Sequence, residues 1–406
     1  MNACDVLVVG GGPAGASTAF ALARRGVEVV LIDRARFPRP KPCAEYLSPE
    51  ASRILRDMNA LDAVESSGAA QLKGVVVRSP NGSVLRGEFV ADHGFVPFSD
   101  RGLSVRRELL DQVLLDRARA AGARVIEGAR LTEVAVRDGR IESATVVNGA
   151  PDSVRPRFVI GADGLRSVVA RRLGLTRAAR WPKRLALVTH FENVGDVGDV
   201  AEMHVENDGF VGIADVGHGQ TTVALVVPAS RARAMAGDTE GFLRRWLAAR
   251  PHLAPRFAHA RRVSPVRATG PFGAQSRRAS SANTLLVGDA ADFFDPFTGE
   301  GIYAALRGGE LAAESIEAAL KARTPSAAAR DLSAYDVARS REFKGKWIVE
   351  RFIATVVDTP WLINRAAKSL GRRRDLADLL IGVTGDFIPA KQIVNAKYVL
   401  SAFGIL

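Results

Sequence analysis

Cysteine is nearly absent: the 406-residue chain holds only Cys4 and Cys43. Two thiols cannot staple a disulfide framework, and neither stands in a CxxC or Cys/His spacing, so a zinc site is not expected. Long hydrophobic runs are missing as well. No apolar stretch reaches the roughly 18 residues that a membrane-crossing helix needs. The N-terminal residues Met1-Asn2-Ala3-Cys4-Asp5 lack the basic leader, long apolar middle and small-residue cleavage site of a secretory signal, so the chain is expected in the cytoplasm. Histidine is scarce, and His93, His190, His204, His218, His252 and His259 form no metal or triad spacing. His190, on an alternating strand of the expected substrate sheet, either faces the pocket or, the favoured reading, is an ordinary sheet residue. No helix-turn-helix, finger or RNA-binding aromatic motif is present, and the basic residues are interleaved with acidic ones, which argues against nucleic acid as a partner.

What is present is globular. Hydrophobic residues make up 47% and charged residues 25%, and the length suits two or three structural units. The net charge of +12 is unevenly spread: from Arg339 to Leu406 there are twelve Lys/Arg against six Asp/Glu. That region also carries Phe343, Trp347, Phe352, Trp361, Phe387, Tyr398 and Phe403. Such spacing serves either ordinary helix packing or an amphipathic surface that docks on a membrane or a carrier protein.

The apolar run Asp5–Val9 reads as a buried strand and leads straight into Gly10-Gly11-Gly12-Pro13-Ala14-Gly15. An alanine-rich helix to about Arg25, a stop at Gly26, a second buried strand Glu28–Ile32 and a terminal Asp33 complete a βαβ unit. Gly10 permits the tight turn, Gly12 lets a pyrophosphate approach the backbone, and Gly15 lets the helix pack closely on the strand. The helix N-terminus offers free N–H donors to phosphate, and Asp33 is placed to accept from a ribose diol. Ser48-Pro49 reads as a helix start, Pro80-Asn81-Gly82 and Asp138-Gly139 as hairpin turns, and Arg107–Ala121 as a helix followed by a strand at Arg124–Glu127. Short buried strands are expected at Phe158–Gly161 and Thr284–Val287. Between Arg184 and Val227 long alternating runs predict an antiparallel sheet, and from about Gly299 the chain reads helical to its end.

Three segments carry a resemblance: Gly10–Gly15 with Asp33, then Gly161-Ala162-Asp163-Gly164, then Gly288-Asp289-Ala290-Ala291 followed by Asp295-Pro296-Phe297-Thr298-Gly299-Glu300-Gly301. In order and spacing they resemble the flavoprotein hydroxylase fold, which includes FAD-dependent monooxygenases, geranylgeranyl reductases and flavin-dependent halogenases. The resemblance implies an α/β fold: a Rossmann-type FAD domain from residues 1–73, 101–180 and 271–330, an inserted antiparallel substrate sheet from 74–100 and 181–270, and a helical region from 331–406. It implies FAD held by Gly10, Gly12, Pro13, Ala14, Gly15, Asp33 and Arg34, by Arg107 and Leu131, by Asp163 and Gly164 near the pyrophosphate, and by Gly288 and Asp289 on the ribityl chain. Pro296, Gly299, Gly301 and Ile302 lead into a helix whose N-terminal dipole points at the flavin region where charge collects on reduction. Lys41-Pro42-Cys43-Ala44-Glu45-Tyr46 resembles the cysteine-containing loop of the reductase branch, which lies over the flavin, so Cys43 and Ala44 are expected beside the ring and Cys43 and Glu45 are the catalytic candidates.

Two departures bear on the reaction. Ala44 replaces the usual glycine after the cysteine, and Gly212-Ile213-Ala214-Asp215 replaces an aromatic element that lines the prenyl channel. On these grounds the expected activity is monooxygenation of a lipophilic or aromatic small molecule through a flavin hydroperoxide, with reduction of an isoprenoid C=C bond as the alternative and a docking flavin-binding protein as a third. With a single glycine-fingerprint unit, NADPH or NADH is expected to act as a transient reductant.

Overall fold

A computed structural model describes residues 3–91, 94–178, 181 and 183–406; His93 lies outside them. β1 (Ala3–Val9) is buried almost throughout and pairs in parallel with β2 (Val29–Asp33), and the helix between them, α1 (Pro13–Ala23), begins two residues sooner than Gly15 because Pro13 suits a first helical position. Continuing along the chain, β3 (Gly74–Arg78) and β4 (Val84–Glu88) form the expected hairpin. α2 (Arg107–Ala120) and β5 (Arg124–Glu127) lie where the sequence puts them. Asp138 and Gly139 both take positive φ, as their tight hairpin turn requires.

β6 (Ala150–Gly161) is longer than the expected Phe158–Gly161, because its first half is the third strand of an antiparallel ribbon and only its last residues enter the parallel sheet. β1 pairs with β6 on one side and β2 on the other. β6 pairs in turn with β11 (Thr284–Leu286). The register aligns Val9 with Gly161 and Gly161 with Leu286. The three glycine-bearing corners therefore leave the carboxyl edge of the sheet side by side, which is where open α/β sheets bind ligands.

The second sheet is built from β7 (Arg184–Glu192), β8 (Ala201–Glu206), β9 (Gly209–Asp215) and β10 (Gln220–Pro228), with β3 and β4 at its far end. All its pairs are antiparallel except β8 with β3, where Ala201 faces Val75. Alternation gives the sheet two apolar faces. Leu187, Val211, Val223 and Leu225 pack against Leu243, Trp246 and Leu247 of the helix Thr239–Ala248, while Val188, Phe210, Ala224 and Val226 face the C-terminal helices.

After the third corner, α3 (Gly301–Lys321) packs on α1, with Gly309 against Ser17. α4 (Pro325–Val357) follows as one unbroken helix, so the expected boundary at 330/331 falls inside it. Thr324 caps it by accepting from the Ala327 N–H at 3.2 Å, with Pro325 in the first turn. α5 (Pro360–Leu370), α6 (Arg374–Thr384) and α7 (Ala396–Ala402) complete the layer on the second sheet. Among the described residues no helix is long and apolar enough to cross a membrane.

Candidate active site

The first corner is shaped by backbone crowding. Gly10 has φ +107°, and a Cβ there would lie 2.4 Å from the Ala162 carbonyl oxygen; one on Gly15 would lie 1.8 Å from the Gly10 carbonyl oxygen. No side chain caps α1, so its N-terminus is open to an anion. Around Gly12 the nearest atoms to a missing Cβ are guanidinium nitrogens, Arg39 Nη2 at 3.5 Å and Arg107 Nη2 at 3.8 Å. Asp33 is fixed by two backbone donors, Gly11 N–H at 2.7 Å and Ala35 N–H at 2.8 Å. The Ala129 N–H donates to the Asp33 carbonyl at 2.8 Å, which brings the buried Leu131 beside that acidic tip; Arg34 is exposed next to it.

A cavity of about 220 Å³ runs from this corner along the sheet edge. Gly12, Pro13, Ala14, Cys43, Ala44, Glu45, Arg107, Gly164, Gly288, Asp289, Pro296, Gly299, Gly301 and Ile302 all line it. Asp33, Arg34 and Leu131 stand apart at the outer end of β2, and Gly10 and Gly15 shape the turn from behind. Asp163 accepts from the Val168 N–H at 2.6 Å, at the start of a short helix capped by Ser167; its other oxygen is buried without a partner, and burial pushes its carboxyl above the usual range. Asp289 lies 3.9 Å from the Lys41 ammonium. An open helix N-terminus and the Arg107 guanidinium at one end of the groove, with Lys41 and the Asp289 carboxylate farther along it, match the phosphates and polyol of FAD. Bound there, FAD would supply two-electron redox chemistry.

Of the neighbouring arginines, Arg106 pairs outward with Glu108 and Gln220, whereas Arg107 is buried. Arg107 binds Asp111 through two parallel bonds of 2.8 Å, and Arg39 reaches the same carboxylate at 3.0 Å. Burial alone would lower the Arg107 guanidinium, but Asp111 and the Cys43 sulfur beside it hold it above its usual range.

Glu45 is not a solvated loop charge. It is 1% exposed and adopts φ +65°. One carboxyl oxygen accepts the Arg107 N–H at 2.9 Å and the other lies 2.7 Å from His190 Nε2, while His190 Nδ1 lies 2.8 Å from Ser264 Oγ. His190 is therefore the partner that ties the loop to the second sheet, not an ordinary sheet residue. Both carboxyl oxygens of Glu45 are thereby engaged. Its bonds leave Cys43 facing the cavity, the sulfur accepting the Glu45 N–H at 3.3 Å and lying beside the Arg107 guanidinium. Cys4, by contrast, is buried behind the sheet, and burial with Glu28 and Asp5 nearby pushes its thiol up to about 11.

The roof of the cavity comes from α4, whose Arg339, Phe343, Lys346, Trp347 and Glu350 point down at helical spacing. Lys346 lies 4.1 Å from the Tyr303 ring centroid and pairs with Asp386. Beneath it Glu300, 4% exposed, has one carboxyl oxygen without a partner. Burial pushes Glu300 up to about 7, with Lys346 pulling the other way, and Glu350 is raised by burial and by Glu300. In the sequence these positions stand out only as part of the basic, aromatic-bearing C-terminal region, open to ordinary helix packing or to a docking surface.

Beyond the roof lies a second cavity of about 440 Å³ between the sheet and the C-terminal helices, lined almost wholly by apolar side chains. Ala44, Tyr46, Ala224, Val226, Pro296 and Gly299 line both cavities, so the two adjoin. Gly212, Ile213 and Ala214 form part of its wall.

A convergent dinucleotide cradle joined to an apolar chamber defines a flavin-dependent oxidoreductase. The chain belongs to the FAD binding domain family, whose model matches residues 3–343, and has the flavoprotein hydroxylase fold. It is 30% identical over 324 residues to the digeranylgeranylglycerophospholipid reductase of Methanosarcina acetivorans, covering 78% of this chain and 75% of that protein. It is 31% identical over 344 residues to the menaquinone reductase of Mycobacterium tuberculosis, covering 78% and 77%. A flavoprotein/dehydrogenase from Cytophaga hutchinsonii superposes with a TM-score of 0.81 at 22% identity, over 94% of this chain and 93% of that one.

Proposed function

We propose that this FAD-dependent oxidoreductase reduces a C=C bond in a long lipophilic chain of the prenyl type. The observation that carries the reading is the apolar chamber that ends at the flavin cradle, with Ala44, Tyr46 and Ala224 common to both walls. Its shape and chemistry suit a flexible hydrocarbon, which gains by leaving water and needs no polar recognition along its length. Relatives named for a digeranylgeranyl phospholipid and for menaquinone, both prenyl-bearing lipids, support the same substrate class.

The chain's own residues have definable tasks. Glu45, held by His190 and the Arg107 N–H, fixes the loop so that Cys43 faces the reacting bond. Glu300 and Glu350, both raised by burial, hold protons at their carboxyl oxygens near the cradle. The phenylalanines at 293 and 294 and Trp347 exclude water. That same dryness favours the second reading, oxygen transfer to a lipophilic or aromatic substrate. NADPH or NADH is the reductant in either case, bound transiently, and the free thiols suit the reducing cytoplasm.

The test is to reduce the FAD-loaded protein anaerobically, add a prenyl-chain lipid and examine the product by mass spectrometry. Gain of two hydrogens without oxygen is the expected result. A product that appears only after oxygen is admitted, and gains one oxygen atom, overturns reduction in favour of monooxygenation.

A further inference from the structure

We infer that the outer face of α4 and the segment after α6 form a docking surface for an anionic lipid bilayer, placed around the mouth of the apolar chamber; this rests on the reading of that chamber as the site of a lipid chain. Ile348, Phe352 and Val394 line the chamber and are also 43%, 41% and 43% exposed, so the chamber opens to solvent through an apolar lip. On α4 the lip continues as a stripe at helical spacing, Val337, Arg341, Lys344, Ile348 and Phe352, every member exposed. The other side of the mouth is drawn close by Ala390, whose Cβ would lie 2.8 Å from one built on Gly345. It carries exposed Lys391 and Lys397 on either side of Val394. Phe352 also contacts the ring of Phe403, which brings the exposed C-terminal Ile405 and Leu406 to the same rim.

The charge around the lip is of one sign. Arg341, Lys344, Lys391 and Lys397 are exposed and have no ion-pair partner among the described residues. The nearby carboxylates turn inward: Asp336 accepts from the Ala279 N–H and Ser280 Oγ, Glu342 binds Tyr303 and Arg307, and Asp386 pairs with Lys346. Residues 387–406 contain two lysines and no acidic residue. An apolar lip inside a ring of unpaired cations complements an acyl region bounded by anionic headgroups. A lipid whose chain is insoluble in water then passes from bilayer to chamber without crossing the aqueous phase.

The experiment is co-sedimentation of the FAD-loaded protein with vesicles of phosphatidylcholine alone and with added phosphatidylglycerol. Binding is expected to the anionic vesicles, to weaken with salt, and to fall roughly tenfold or more on the double substitution Arg341→Glu with Lys344→Glu. That variant should keep its flavin spectrum and its turnover of detergent-dispersed substrate, because neither side chain lines the flavin cradle or the apolar chamber; both border only an open groove on the outer face of α4. Lys391→Glu with Lys397→Glu provides an independent second variant with the same expectation. Failure to bind anionic vesicles at low salt, binding indifferent to both charge reversals, or binding only to an acidic carrier protein overturns the docking surface. Vesicle binding without prenyl reduction would instead refute the reaction while leaving the surface intact, so the two failures are distinguishable.

Discussion

Replacing Glu300 by Gln removes a buried ionisable group without changing its shape, and the consequence can be worked out. In the folded protein burial raises the carboxyl from 4.5 to about 7, with Lys346 opposing. In the unfolded chain it ionises at its ordinary value. The native form therefore keeps a proton that the unfolded form releases, so the contribution to stability is whole below about pH 4.5, declines as pH rises, and is gone above about pH 7. The full loss is worth about 3 kcal/mol. Glutamine cannot ionise and escapes it. Thermal unfolding of the Glu300→Gln variant and the parent should give similar melting temperatures near pH 5, and the variant should gain roughly 3 °C on the parent by pH 8.5. A difference that stays constant with pH, or that favours the parent in alkali, would mean that Lys346 keeps Glu300 ionised throughout and that it holds no proton for the reaction.

Two further substitutions probe the cavities and the loop. Ala224→Phe places a ring in the wall shared by the two cavities; flavin content should be retained while turnover of a long-chain lipid falls at least roughly tenfold, measured against a short soluble analogue. Glu45→Ala leaves the buried Arg107 N–H without its acceptor and should destabilise by roughly 2–3 kcal/mol, whereas Glu45→Gln, which keeps an oxygen for that N–H, should recover most of the loss in the same unfolding measurement.

Much of the nucleotide half was legible because its constraints are local. Gly10, Gly15 and Asp33 sit within one βαβ unit, where turn geometry and strand burial act over a few residues, and the Asp138-Gly139 turn is readable for the same reason. The remainder depends on partners far apart in sequence. Glu45 and His190 are separated by 145 positions, and nothing near either announces the bond. The parallel pairing of β8 with β3 leaves no periodic trace, since alternation reports which face is apolar but not which strand lies alongside. The chamber was hidden for a related reason: Ala224 and Val226 have the pattern of filled core, and only the placement of α4 to α7 opposite them leaves room.

The chamber has unequal walls. One is a hydrogen-bonded sheet continuous with the body of the enzyme; the other is a cap of helices that follows α3 and supplies none of the three glycine corners. Mutations in α5 to α7 of that cap, which line the chamber but not the cradle, can lengthen, shorten or reshape the tunnel while the redox machinery stays untouched. A scaffold divided in this way lets evolution change clientele quickly, and it gives the protein engineer a replaceable half for the same purpose.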